Sequence, residues 1–401
     1  MSILIKNVLL NDKKKDVYVE GNIIKEIKDN ISLEAEYKID GNKKAILPSF
    51  FNSHTHAAMS LLKGYADDMK LHEWLQQKIW PAEKKFKEKE VYVGTKLAVL
   101  EMIKTGTTFF NDMYWYFEEA SRAAEEMSVR AVIGQAFIDG MKLKKMPKNT
   151  ELIKYAYAPH AIYTVSEENL RKIKELADKE NRFYHIHISE TKKETEDSLS
   201  RFGKRPIEYL NEIEVLGENV TGAHAIWLSE KETKILAEKN VSVVYNPASN
   251  QKLGSGVFPY PKLKKAGAKI LLGTDSNASN NNLDMFEEMK IGALLQKVNN
   301  TPTTLPAQEI HEIATIKAAE TFKINAGKIE EGKLADFILV DLKNINLFPN
   351  YNLISNIVYS AHGDCVTHTV CNGKILMADR KVKGEEKIIE EAEKTIRESI
   401  S

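Results

Sequence analysis

Four side chains combine the types and positions needed to hold a metal: His54, His56, His187 and Asp275. His54 and His56 stand two apart on an extended segment, so both side chains point the same way. Imidazole nitrogens suit a borderline-soft divalent ion. An isolated H-x-H is more often a polar pair in a loop. Here His187 and Asp275 fall at the ends of other strand-like segments, and a shared metal explains all four. His187 opens an H-x-x-E whose last member is Glu190. The strand gives out between them, so His187 ligates while Glu190 stays free for acid–base work. His185 shares the His187 side of the strand, either as a packing histidine or as the partner of a ligand. His224, in GAHAIWL, is a fourth metal nitrogen or a base acting on water. Asp275 ends the apolar run LLGTD, and a carboxylate buried there needs a partner, either a metal or the start of the next helix.

Three histidines and a carboxylate leave a coordination position for water. A metal lowers the pKa of that water toward ~7, from about 15.7 in bulk, which points to hydrolysis. The chain has no Walker loop, no nucleophile elbow and no dinucleotide fingerprint. Nothing in it calls for a redox cofactor.

Such residues need a frame that carries strand ends to one place. Eight strand-like segments recur: 43–50, 107–113, 129–137, 153–159, 182–189, 220–226, 241–247 and 268–275. Charged, helically periodic stretches such as SEENLRKIKELADKEN separate them. Eight such units over roughly 280 residues predict a (β/α)₈ barrel, whose active sites form at the C-terminal strand ends. Short strands at both ends of the chain, including a hairpin around Gly21, are too few to fold alone and are expected to share one small β-sandwich-like domain. The expected divisions are 1–48 and 330–401 for that domain and its terminal helix, and 49–329 for the barrel.

The composition agrees with a soluble globular protein: 43% hydrophobic and 28% charged residues among 401. Lys+Arg and Asp+Glu balance at 57 each, which gives no electrostatic case for nucleic acid or a membrane surface. Two cysteines make no disulfide framework. With no signal-peptide pattern and no transmembrane run, a cytoplasmic location is expected.

The ordered series LPSFFNSHTHAAMSLLKGYADDMKLHEWLQQKIWPAE, YAPHAIYTVS, HIHISET, GAHAIWL, NPASNQKLGSG and GTDSNASNNNLDMFEEM resembles the amidohydrolase superfamily. It is most similar to the branch that deaminates S-adenosylhomocysteine, 5′-methylthioadenosine and 5′-deoxyadenosine, and the resemblance runs over nearly the whole chain. It implies one zinc or similar divalent ion on His54, His56, His187 and Asp275. Binuclear relatives carry a bridging lysine at the end of strand four, where this chain reads YAYAPH. It further implies that Glu190 protonates the purine ring, that His224 orients and helps deprotonate the water, and that Asp275 also shuttles a proton to the leaving ammonia. Glu83 of WPAE matches the residue that grips both ribose hydroxyls, and His160 a second substrate-binding group near the ribose. Trp74 and Trp80 either line the pocket or belong to the core. Homo-oligomers are common in the family.

One position departs from the pattern. Relatives that take S-adenosylhomocysteine carry arginines in and after strand three, where this chain has Gln135 followed by MKLKKMPKNTE. Lysine does not reproduce a planar, bidentate carboxylate clamp. The departure favours nucleosides with a 5′-deoxy or 5′-methylthio group. Guanine, cytosine and triazine substrates suit the same scaffold, and Glu83 is the residue that argues for a ribose instead.

Overall fold

A computed structural model describes residues 1–400; Ser401, the last residue of the expected terminal segment, lies outside the described residues. The strands are β1 (Ser2–Leu10), β2 (Lys13–Glu20), β3 (Ile23–Lys28), β4 (Tyr37–Asp40), β5 (Lys44–Pro48), β6 (Phe50–Thr55), β7 (Thr107–Tyr114), β8 (Arg130–Phe137), β9 (Ile153–Pro159), β10 (Tyr184–Ile188), β11 (Val220–His224), β12 (Ser242–Tyr245), β13 (Lys269–Leu272), β14 (Phe337–Asp341), β15 (Val366–Cys371), β16 (Lys374–Ala378) and β17 (Lys381–Val382).

Strands β6 to β13 pair in sequence order, all parallel, into an eight-stranded sheet. A parallel bridge between Thr55 and Asp275 draws its two edges together into the expected barrel. Gly273 permits that approach: a Cβ there would lie 2.8 Å from the His54 backbone nitrogen. The lower interior is apolar. Phe51, Phe109, Val132, Ala156, Val244 and Leu271 pack on Phe322, which closes the bottom. With a period of two, Asn111 and Met113 stand above Phe109 on the same face of β7, and polar groups take over toward the strand ends.

The first barrel strand is not the one expected. The apolar run 43–50 divides at Pro48 and Ser49. Lys44–Pro48 pairs antiparallel with β14 in the other sheet, and Phe50–Thr55 opens the barrel. Side chains on both sides of the division are buried, so hydropathy carries no mark of it. The barrel also lacks one helix. Residues 138–152, between β8 and β9, form a loop that Gly140 and Pro147 interrupt.

The remaining strands form one nine-stranded mixed sheet in the order β17-β16-β15-β14-β5-β1-β2-β3, with β4 on β1. It draws on both ends of the chain. Its β5–β14 pairing registers Lys44 with Asp341 and Pro48 with Phe337. A buried ion pair joins it to the barrel, Arg130 Nε to Asp336 Oδ2 at 2.6 Å. The terminal helix Glu385–Ser399 lies instead along the barrel helix Glu88–Lys104, tied by Lys89–Glu398 at 2.6 Å and Ser399–Glu90 at 2.7 Å. No helix among the described residues is long and apolar enough to cross a membrane.

Candidate metal centre and its cavity

At the C-terminal end of the barrel, β6 delivers His54 and His56, β10 delivers His187, and the turn after β13 delivers Asp275. The His56 and His187 Nε2 atoms lie 3.2 Å apart, and Asp275 Oδ1 lies 3.3 Å from the Nε2 of both His54 and His56. Asp275 is no helix cap; Asp284 caps the next helix, Met285–Asn299.

The outer ring nitrogens settle which inner ones are free. His56 Nδ1 meets the Met113 carbonyl at 2.7 Å and His187 Nδ1 the His160 carbonyl at 2.8 Å. A carbonyl only accepts, so each Nδ1 carries the proton and each Nε2 keeps its lone pair. His54 reaches the same state through His185. The His185 Nδ1 lies 3.1 Å from the Thr221 carbonyl and 2.5 Å from its hydroxyl, so it donates, and its Nε2 accepts from His54 Nδ1 at 2.8 Å. His185 is therefore the partner of a ligand-type histidine rather than a packing residue.

Three lone pairs and a carboxylate oxygen converge, and His54 Nε2 is buried without a hydrogen bond. A buried acceptor with no donor is costly in a protein alone. The donor set fits one divalent ion of the zinc type. Burial draws His54 down to about 4 and His187 well below its ordinary value, toward the neutral form that such an ion requires. Burial alone would raise the Asp275 carboxyl, but His54, His56 and His224 outweigh it and hold it well below the usual range. Its other oxygen accepts from Ser249 at 2.6 Å and Ser279 at 2.9 Å.

Backbone strain marks the same strand ends. Ser189, His224 and Asp275 all have positive φ, at 47°, 75° and 62°. Such conformations persist in non-glycine residues only where the surroundings enforce them, and they gather at functional sites.

His224 is held differently. Its Nδ1 faces the side-chain amides of Asn250 at 2.8 Å and Asn246 at 3.3 Å. An amide presents a donor or an acceptor according to its orientation, so these partners hold the ring without fixing its tautomer. Its ring also joins His54 and Asp275 in a second group of converging ligand-type atoms. Glu190 Oε2 lies 3.9 Å from His224 Nε2. Burial, then the Asp275 charge, push the Glu190 carboxyl up to about 8. Ser255 donates to its other oxygen at 3.3 Å. Glu194 accepts from the Ser189 and Glu190 amides, fixing the backbone beneath it. The Thr191–Glu194 spacing carries the T-x-x-E signature of a helix start, a signal in the sequence that bears on the site.

The centre opens into a cavity of about 610 Å³ that holds His56, His160, His187, Glu190, His224, Asp275 and Glu83 in its walls. Trp74 and Trp80 also line it, and Trp74 Nε1 donates to the Ala66 carbonyl at 2.9 Å. Burial, followed by His56, His224 and His54, lowers His160 to about 3 and keeps it neutral. Glu83 ends the short helix Trp80–Glu83 and accepts from the Tyr114 hydroxyl at 2.7 Å. Gln135 does not wait for a ligand. Its amide donates to the Lys142 carbonyl and accepts from the Lys144 amide, both at 3.2 Å, and so clasps the 138–152 loop. Ser249 and Asn250 of the short helix Pro247–Lys252, Tyr114 at the end of β7, Asn246 and Ser279 carry no periodic signal in the sequence.

Residues 45–376 match the amidohydrolase family. A 5-methylthioadenosine/S-adenosylhomocysteine deaminase of Archaeoglobus fulgidus is 46% identical over 97% of this chain and 97% of its own length. A 5′-deoxyadenosine deaminase of Methanosphaera stadtmanae is 46% identical over 95% and 94%. Among solved structures, a zinc-bound adenosine deaminase of Xanthomonas campestris superposes with a TM-score of 0.93 at 31% identity, covering 99% of this chain and 98% of its own. Histidines and an aspartate gathered at the strand ends of a closed parallel barrel, together with these likenesses, show that the chain belongs to the amidohydrolase family.

Proposed function

We propose that the protein hydrolyses the 6-amino group of adenine nucleosides bearing a 5′-deoxy or 5′-methylthio substituent, releasing ammonia and the inosine analogue. The observation that carries this reading is one cavity whose walls hold a metal-type cluster, a buried acid and an anchored carboxylate, Glu83. Names borne by relatives that are 46% identical point the same way.

His54, His56, His187 and Asp275 would hold the ion. When bound, it supplies the Lewis acidity that makes water a nucleophile near neutral pH. Glu190, kept protonated by its enclosure, delivers a proton to the ring nitrogen beside the amino-bearing carbon and so makes that carbon electrophilic. His224 Nε2 takes up a proton from the attacking water, and the switchable Asn246 and Asn250 amides allow its tautomer to change. Asp275, held between two serine hydroxyls, takes up the second proton of that water and passes it to the departing ammonia, while His224, 3.9 Å from Glu190, returns the first to the spent acid. Glu83 grips the ribose hydroxyls, with His160 beside it. The purine itself excludes solvent from the acid.

Steady-state deamination by the zinc-loaded protein tests the reading. The substrates are 5′-deoxyadenosine, 5′-methylthioadenosine, adenosine and S-adenosylhomocysteine, with guanine and cytosine alongside. Release of ammonia from the nucleosides is expected. Turnover confined to the free bases would overturn the proposal.

A further inference from the structure

Three consecutive residues at the end of β7 reach both the His56 segment and Glu83. Asp112 Oδ1 accepts from the Thr55 hydroxyl at 2.9 Å and the Ala57 amide at 2.7 Å, bracketing His56. The Met113 carbonyl fixes His56 Nδ1 at 2.7 Å. Tyr114 then donates its hydroxyl to Glu83 Oε1, also at 2.7 Å. The strand end thus acts as a ruler between the metal-type centre and the Glu83 carboxylate.

Glu83 needs such a hold. It comes from a separate segment, a short helix that follows a π-helical turn at Leu75–Ile79. A glutamate has three side-chain torsions to freeze before it can meet two vicinal hydroxyls at once, and freezing them in advance removes that cost from binding. Tyr114 is itself buried at 2% exposure and cannot easily swing away. Its hydroxyl binds Oε1, and the Trp115 side chain also bears on the carboxylate.

We infer that Tyr114 is a positioning residue that holds the Glu83 carboxylate in register with the metal histidines, and so sets selectivity for a sugar carrying both hydroxyls. The inference rests on the reading of Glu83 as the ribose-gripping carboxylate. Tyr114 acts through that carboxylate and need not touch the substrate.

The test is a cycle between protein and substrate. kcat/KM is measured on the zinc-loaded enzyme for 5′-deoxyadenosine and for its analogues lacking the 2′ or the 3′ hydroxyl. The ratio of the first to the others is the readout. In Y114F that ratio is expected to fall about tenfold, the scale of a hydrogen bond to a charged group. In E83Q it should fall at least as far, and the double variant should show no further loss, because both changes act on one carboxylate. Tyr114→Met, an apolar filler without the hydroxyl, serves as a second variant if Y114F fails to hold zinc or to fold. Equal losses on all substrates in Y114F, with E83Q still collapsing the ratio, would overturn the role of Tyr114 and leave that of Glu83 intact. Additive losses in the double variant would overturn it as well. A wild-type ratio in E83Q would instead bring down the ribose reading beneath it.

Discussion

His185 Nε2 lies 2.8 Å from His54 Nδ1, inside the barrel and out of reach of solvent. The pair forms a relay that ends on Thr221 and dictates which nitrogen of His54 is free. Replacing His185 with Ala should therefore weaken metal binding about 10–100-fold, the usual effect of losing such a partner. Competition with a chelator, read by elemental analysis, measures it. Wild-type affinity in H185A would mean that His54 keeps its tautomer without help.

Glu190 tests the chemistry. E190Q keeps the size of the side chain and removes the transferable proton. It should retain one metal ion per chain and bind an unreactive purine nucleoside normally. Turnover should drop at least about 10²-fold, as for a lost general acid. A sample that loses its metal would make Glu190 a ligand instead.

The same residue sets a pH limit. The active form is protonated, and burial with the Asp275 charge raises its pKa to about 8. kcat should then be level at lower pH and fall as pH rises through the Glu190 pKa. A bound cation favours the carboxylate, so the limb should lie at or below about 8 in the zinc enzyme. The residual activity of E190Q should lack this alkaline limb. A limb unchanged in E190Q would assign it to another group.

The cavity wall predicts a preference. Gln135 is spent on its own loop, and Leu71, Leu75, Ile138 and Met141 line the cavity. Catalytic efficiency with an uncharged 5′ substituent should equal or exceed that with S-adenosylhomocysteine. Lys84 is the one cation among the described residues of the cavity wall. A strong preference for the charged substrate would contradict the prediction, and its loss in K84A would name the lysine responsible.

Much of this arrangement is legible in the sequence. Strand ends announce themselves where an apolar run stops at a histidine or aspartate, and His54, His187 and Asp275 do so. The passage from one sheet to another at Ser49 is silent, because Ala45 to Phe51 are nearly all apolar and buried in either sheet. The role of His185 is silent for another reason. Two histidines on one strand face look alike until a second strand supplies an acceptor, here Thr221 of β11. Tyr114 escapes notice, as does the clasp that Gln135 makes on the 138–152 loop, because each bonds to a distant or irregular segment, and periodicity says nothing about loops.

The pairing of β5 with β14 has a bearing on how the molecule is made. Roughly 290 residues separate these partners along the chain. At ordinary rates of synthesis, the early strands emerge from the ribosome about 15–60 s before the strand that completes their sheet. During that interval β5 presents an unpaired edge next to a barrel that is still assembling. The nascent chain therefore passes through a stage at which a chaperone, or premature association with a sister chain, has its best opportunity.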